Sequence, residues 1–455
     1  MPHPLSAANS HLFSHPFLLT GARVLVPAVA ERALRRKPNR VTRLAVLCAM
    51  AVVAAAACGT VPSRLSAALP RNAFATQLHA DAIEFSPEAG LEDVFVCGTY
   101  QLQAGDEGLK AEKQTRFGRL WLLRVRRDEE GGRGRAAAGA GEAGRQAAGC
   151  ASWEENPWVE EVSHLDTPGI FDIKWSAPRG GGALLGHAAA DGCLYTYSMP
   201  REAGALRFEM RGVVPCAESV GSLALSLDWN DRGCSGGPLQ VGVSMSDGRV
   251  CVVDAGAESG LKISSSWDAH ELEAWIVGWD CHNPHVLYSG ADDGILKGWD
   301  TRMSNRLPLF QERKSYSAGV TCLQSHRLVE HCLVTGSYDE HVRVYDTRQM
   351  RRPLAEANTG GGVWRVKWHH TNTRLLAVAR MHNHFGVLSY DHATGSFEPD
   401  LACDITGAHA SLGYGIDWQY PLAGADTGDA VQRGSVLATA SFYDSLVQVW
   451  NYPLP

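Results

Sequence analysis

Apolar and polar residues alternate with a period of two along most of this chain. The alternation comes in short runs separated by turns rich in Gly, Asp and Asn, which is the pattern of strands with one buried face. Ile170-Phe171-Asp172-Ile173-Lys174-Trp175 is one such run, and Leu225-Ser226-Leu227-Asp228-Trp229 and Val363-Trp364-Arg365-Val366-Lys367-Trp368 follow the same lettering. A second, smaller-residue run follows each: Leu184-Leu185-Gly186-His187, Val241-Gly242-Val243-Ser244 and Leu375-Leu376-Ala377-Val378-Ala379. The turns that close the first two are acidic, Asp191-Gly192 and Asp247-Gly248, whereas the third is Met381-His382-Asn383-His384.

This unit recurs in register. Trp299-Asp300-Thr301-Arg302 closes one copy and Tyr345-Asp346-Thr347-Arg348 the next, and Asp254, Asp300, Asp346 and Asp391 stand 46, 46 and 45 residues apart. The spacing suits a four-stranded propeller blade of about 40–45 residues with a slightly long loop. Seven blades can be counted, from Ala80-Asp81-Ala82-Ile83-Glu84-Phe85 to Val447-Gln448-Val449-Trp450, so the chain reads as an all-β, seven-bladed WD40 β-propeller. Residues 73–79 are placed to lend a strand to the last blade and close the ring. His270, Ser289, Asp293 and Trp299 fit the hydrogen-bonded tetrad that locks a WD blade.

Composition agrees with one large core, since 45% of residues are hydrophobic and 13 are Trp. Residues 1–73 depart from the pattern: nine Lys or Arg, among them Arg35, Arg36, Lys37, Arg40 and Arg43, face one acid, Glu31, and an apolar run covers Leu44 to Cys58. That run is short of the roughly 20 residues of a spanning helix. Three readings stay open for it: a secretory signal, an organelle transit peptide, or an overextended reading frame whose true start is Met50 or later. The domain expectation is therefore a basic N-terminal extension, 1–73, read as disordered, and a propeller, 74–455. Within the propeller, residues 128–151 are Gly, Ala, Arg and Glu with almost no large apolar side chain, and read as a disordered insertion.

The propeller segment holds 33 basic and 48 acidic residues, a net charge of −15. That balance excludes the basic footprint of nucleic-acid binding. No membrane span is expected. The twelve cysteines contain no CxxC pair and several sit inside strand-like runs, so they read as reduced core thiols of a cytosolic or nuclear protein. GxSxG, HExxH and GxxxxGK[ST] are absent, which removes the commonest hydrolase, metalloprotease and NTPase patterns. Candidate chemistry lies in the blade-six turn, where His382 and His384 stand in place of the usual Asp. An imidazole there titrates near working pH and suits a general base, the alternative being that it replaces the Asp in blade hydrogen bonding. Trp275, Trp364, Tyr338, Tyr443 and Tyr414 occupy equivalent strand starts and turns. If they share the channel face, they form an aromatic surface for a quaternary ammonium. No metal site can be assigned from spacing.

Several stretches go beyond a generic WD protein. Gly98-Thr99-Tyr100-Gln101-Leu102, the segment Ser266–Ile276, Gly336-Ser337-Tyr338-Asp339-Glu340-His341, the segment Gly361–His369, Met381-His382 and Ser441-Phe442-Tyr443-Asp444 closely resemble the diphthine methyl ester hydrolases of diphthamide biosynthesis, over about 76–452. The resemblance implies a carboxyl methyl ester hydrolase acting on diphthine methyl ester of elongation factor 2, in the cytoplasm, as a monomer and without a cofactor. For that chemistry the expectation is that His382 activates water or an unidentified serine, with Asp444 or Asp339 orienting the imidazole and Arg380 helping to stabilise the oxyanion. The five aromatics and Glu273, which lies in the second stretch, become substrate contacts. Two alternatives stay open: a non-catalytic WD adaptor that holds elongation factor 2 or another protein, and a methyl-lysine reader.

Overall fold

The computed structural model describes residues 69–454, apart from 105–113, 128–156, 201–205, 231–238, 257–259, 304–306, 399–402, 406–408 and 423–434. The 128–151 insertion and all but the last few residues of the 1–73 extension thus lie outside the described residues. No helix occurs among those that are described.

Seven antiparallel sheets follow one another along the chain and form a seven-bladed β-propeller. Their inner strands are Ala80–Phe85, Ile170–Trp175, Ala224–Asn230, Ile276–Trp279, Val320–Ser325, Arg365–Trp368 and Gly413–Trp418. Blade four shows the common plan, with Ile276–Trp279, Val286–Gly290, Leu296–Asp300 and Phe310–Glu312 laid side by side from the channel outwards. Blade seven is built from both ends of the described chain. Ala73–Ala75 pairs antiparallel with Leu446–Tyr452, Ala73 opposite Gln448, so the ring is closed by the N-terminal strand that the sequence places there. Closure removes the free edge that an open sheet would present.

The core lies between the blades, and the alternation explains why. Six of the seven inner strands end on or next to a large buried side chain, Phe85, Trp175, Trp229, Trp279, Trp368 and Trp418, and the blade-five strand ends on Ser325. Polar satisfaction is repeated with them. The Trp229 indole donates to the Lys174 carbonyl at 2.7 Å and the Trp418 indole to the Lys367 carbonyl at 3.1 Å. One residue earlier in the strand, a side-chain oxygen accepts the closing amide of the next blade. Asp417 takes Phe85 N–H at 2.8 Å, Asp228 takes Trp279 N–H at 2.8 Å and Gln324 takes Trp368 N–H at 2.7 Å. Blade-to-blade contact is thereby both apolar and hydrogen-bonded, and neither half is free to slide.

The tetrad of blade four is present. His270 Nδ1 meets Asp293 at 3.0 Å, its Nε2 meets Ser289 Oγ at 2.7 Å, and Trp299 Nε1 donates to the same hydroxyl at 2.8 Å. Blade seven varies it: His409 Nε2 and Trp450 Nε1 both reach Thr439 Oγ1, and Asp444 joins through Ser441. Burial pushes His409 down to about 3, so it stays neutral in this role. Blade five replaces the histidine with Tyr316 on Thr335 at 2.8 Å and an Arg343–Asp339 ion pair at 2.9 Å.

Cys97, Cys193, Cys216, Cys251, Cys281, Cys322 and Cys332 are free thiols, and all but Cys193 are buried.

Candidate active site

A bulge at the entry of the inner strands positions the site. In five blades the register slips by one residue there, and the extra residue is Asp81, Phe171, Leu225, Thr321 or Tyr414. Trp275 and Trp364 occupy the matching place, four residues before Trp279 and Trp368. A bulge turns its extra side chain out of the alternating pattern, here towards the axis of the ring. A small hollow there is lined by Phe171, Leu225, Trp275, Thr321, Trp364 and Arg365.

Beneath this ring the channel is filled by ion pairs. Arg365 reaches across to Asp172 at 2.9 Å, and Asp172 also accepts Ser226 Oγ at 2.7 Å and Leu227 N–H at 3.3 Å. Burial raises the Asp172 pKa, but Arg365 and Lys174 outweigh it and hold the carboxyl below its ordinary range. One layer further down, Lys367 pairs with Glu84 and with Asp417, and Lys174 lies 3.7 Å from Asp228. The Asp172–Arg365 pair thus separates the aromatic ring from a second cavity, lined among others by Glu84, Lys174, Asp228, Lys367 and Asp417.

The aromatic residues singled out from the sequence come together on that face. Trp364 stacks on Tyr414 with centroids 4.8 Å apart, and Trp275 meets Trp364 at 5.7 Å and Tyr338 at 6.2 Å. Tyr414 continues to Phe442 at 5.0 Å, which touches Tyr443 at 4.9 Å. All five predicted aromatics are half-buried. Glu273 sits in the loop before Trp275, and its charge helps hold the Tyr338 hydroxyl protonated. The sequence reading missed His79, Tyr100, Phe171 and Phe442, which extend the same network. It also missed Asp81, which is fully buried among them. A usable signal existed, since each ring residue stands four positions before the closing residue of its inner strand.

The histidine turn lies beside the Trp364–Tyr414 stack. Ala379 pairs with Phe385 as Gly290 does with Leu296 and Gly336 with Val342, so His382 is the third turn residue, where blades four and five have Asp293 and Asp339. The turn is wedged between two glycine-containing segments. A Cβ on Gly361 would fall 2.2 Å from the Arg380 carbonyl oxygen, and one on Gly413 would fall 2.6 Å from that of His384. Met381 and Gly413 exchange backbone hydrogen bonds of 3.2 and 2.9 Å. Met381 and His384 hold left-handed backbone, φ 45° and 58°, which disfavours ordinary side chains. Strain of that kind collects at functional turns.

Within this turn His382 is exposed and makes no hydrogen bond with the described residues. It has the position of a tetrad Asp without its hydrogen bonds. His384 Nδ1 is buried with no hydrogen-bond partner among the described residues, and its charge acts on Asp444 and His409. Asp444 accepts Ala410 N–H at 2.8 Å and Ser441 Oγ, and burial raises its pKa. Asp339 is committed to Arg343 and to the Ser317 and His341 amides. Arg380 is 1% exposed and donates to the Phe385 carbonyl at 2.6 Å, so it braces the turn from inside. Among the described residues no hydrogen bond joins His382 to Asp339, Asp444 or Arg380.

No protein-family model matches the chain. The human protein named diphthine methyltransferase is 34% identical over 368 residues, covering 76% of this chain and 74% of the relative. Its mouse counterpart is 33% identical, covering 76% and 68%, and that of Schizosaccharomyces pombe is 28% identical, covering 84% and 98%. Among solved structures, a chain from a crystal structure of the mitotic checkpoint complex superposes with a TM-score of 0.54 at 14% identity, over 86% of this chain and 98% of that one, a likeness of fold alone. With 34% identity over about three quarters of both chains, the chain belongs to the diphthine methyltransferase family, WD-repeat proteins of diphthamide biosynthesis.

Proposed function

We propose that this chain hydrolyses the methyl ester of diphthine methyl ester on elongation factor 2, releasing methanol and leaving the carboxylate for the final amidation. The observation that carries the reading is the juxtaposition of the Trp275–Tyr338–Trp364–Tyr414 ring cluster with the strained turn that presents His382. The diphthine side chain bears a trimethylammonium group next to its ester. Aromatic faces attract such a cation by their quadrupole, each favourable ring contributing about 0.5–2 kcal/mol. Anchored there, the ester lies within a few bonds of the ring cluster, beside the histidine turn.

His382 is the proposed general base. It takes a proton from water as the water oxygen attacks the ester carbon, and returns it to methoxide as the carbon–oxygen bond breaks. Asp444 acts on the neighbouring His384, and Asp339 and Arg380 hold their turns in shape. The relatives' name describes movement of a methyl group on diphthine, and an exposed imidazole with no structural partner supports water as the group that displaces it here.

The finer assignments belong to the same proposal: a monomeric propeller meeting elongation factor 2 in the cytoplasm, with the extension before residue 69 dispensable and the closing strand Ala73–Ala75 retained. No helix among the described residues is long and apolar enough to cross a membrane. The test is single-turnover hydrolysis by wild type, His382→Ala and His384→Ala on elongation factor 2 carrying the ester. Loss of turnover with retained binding in His382→Ala supports the assignment, and wild-type rates in that variant remove His382 from the chemistry.

A further inference from the structure

One side chain in the seven-residue ring at the channel mouth is a carboxylate, Asp81, and nothing in the fold accounts for it. It is fully buried, and neither oxygen has a hydrogen-bond partner among the described residues. Buried carboxylates ordinarily find donors, because an unpaired charge in an apolar site is strongly disfavoured. Two others in the same channel do so: Asp172 is met by Arg365, Ser226 and the Leu227 amide, and Asp417 by Lys367 and the Phe85 amide. The Trp364 indole N–H is turned towards Asp81 without meeting hydrogen-bond geometry. Arg365 lies on the deeper side and is already engaged by Asp172. The rings of Tyr100, Tyr338, Trp364 and Tyr414 lie near enough to Asp81 to feel its charge, and three of them rank among the candidate substrate contacts. An apolar or amide side chain would fill the same space with less strain on the fold.

An ionised Asp81 would be balanced by a cation, and the surrounding rings narrow its class. A primary ammonium would bring three N–H groups into a site where aromatic faces offer no acceptors for them. A quaternary ammonium has no N–H to satisfy and needs only apolar contact and opposite charge. We propose that Asp81 is the anionic floor of a quaternary-ammonium site, with the Trp364, Tyr414 and Tyr338 rings as its walls. The choice of ligand rests on the methylesterase reading, whereas the orphaned carboxylate does not.

A linked proton follows from the surroundings. Burial pushes the Asp81 carboxyl up to about 8, with Arg365 pulling down and Asp172 pushing up. The other titratable groups facing it are Cys97, Tyr100, Tyr338 and Tyr414, all with pKa values raised by burial and therefore neutral at working pH. In the empty site Asp81 holds its proton near neutrality, and an arriving cation expels it. Cation affinity therefore climbs as the pH approaches 8 and levels off above it.

The test uses the full chain and two small probes of one shape, choline and its neutral isostere 3,3-dimethyl-1-butanol, titrated against Trp fluorescence. Wild type is expected to prefer choline by about tenfold or more, with choline affinity changing by up to about tenfold per pH unit below 8. Asp81→Asn is expected to lose both the preference and the pH slope while still taking the neutral probe, and Trp364→Leu to lose both probes. A thermal melt establishes that each variant is folded. If Asp81→Asn keeps the choline preference and slope, the role of Asp81 is overturned and the aromatic site stands. If wild type takes neither probe yet still hydrolyses the ester on its protein substrate, the aromatic site and Asp81 both fall while the esterase reading survives.

Discussion

His382 and Asp81 break the rules of their surroundings in opposite ways. His382 holds the place of a structural Asp but faces solvent, and Asp81 holds the place of an aromatic but is buried. For His382→Ala we expect the hydrolytic rate to fall by about 10²-fold or more, the usual worth of a positioned acid–base group, with choline binding unchanged. Single-turnover kinetics and probe titration read the two separately. For Asp81→Asn the expectation is a more stable protein. The folded carboxyl titrates at about 8 against an ordinary 3.8, so its contribution to stability is fully present below 3.8 and is lost as pH rises through 8. The asparagine variant should therefore melt above wild type at neutral pH and match it more closely in acid, by calorimetry at both pH values. The aromatic contacts were legible because Trp and Tyr recur at equivalent positions. Asp81 was not, because a single acid in an inner strand looks like Asp172 or Asp228, whose partners only the fold supplies.

At the scale of one blade, the period-two alternation located the inner and second strands, since both faces of those strands carry repeated, buried residues. The outer strand of blade one, Trp158–Pro168, was not foreseen. It carries Glu160, Glu161, His164 and Asp166 among half-buried apolar residues, so its pattern is blurred, and it follows a long Gly/Ala segment that carries no strand signal. The entry bulges were equally hidden, because a one-residue slip leaves the alternation on either side intact. The tetrad gives a prediction at this scale. His270→Ala leaves Asp293 and Ser289 without their shared partner, and we expect a loss of about 1–3 kcal/mol, read by denaturant unfolding, with hydrolysis per folded molecule unchanged. Ring closure gives another. Deleting residues up to Thr76 removes the strand paired with Leu446–Tyr452 and the Phe74–Trp121 contact, whose centroids are 5.1 Å apart. That truncation should lower both the melting temperature and the cooperativity, whereas a chain beginning at residue 69 should melt like the full protein.

Across the whole molecule, two layers of buried charge cross the channel beneath the aromatic ring. The Asp172–Arg365 pair spans the axis between blades two and six, and it supports the ring residues from below. Arg365→Met strands Asp172 in the interior, which we expect to destabilise the propeller by about 3–5 kcal/mol. Replacing both partners, with Asp172→Asn added, should recover part of that loss in the same unfolding assay. The aromatic ring and the histidine turn share one face, and the proposed reaction places the substrate there. The most direct test is therefore intact-mass analysis of elongation factor 2 carrying diphthine methyl ester, incubated with the full chain or with its His382→Ala variant. Loss of one methylene mass with wild type, and its retention with the variant, is the predicted result. An unchanged mass with wild type that demonstrably binds the substrate would contradict the esterase assignment.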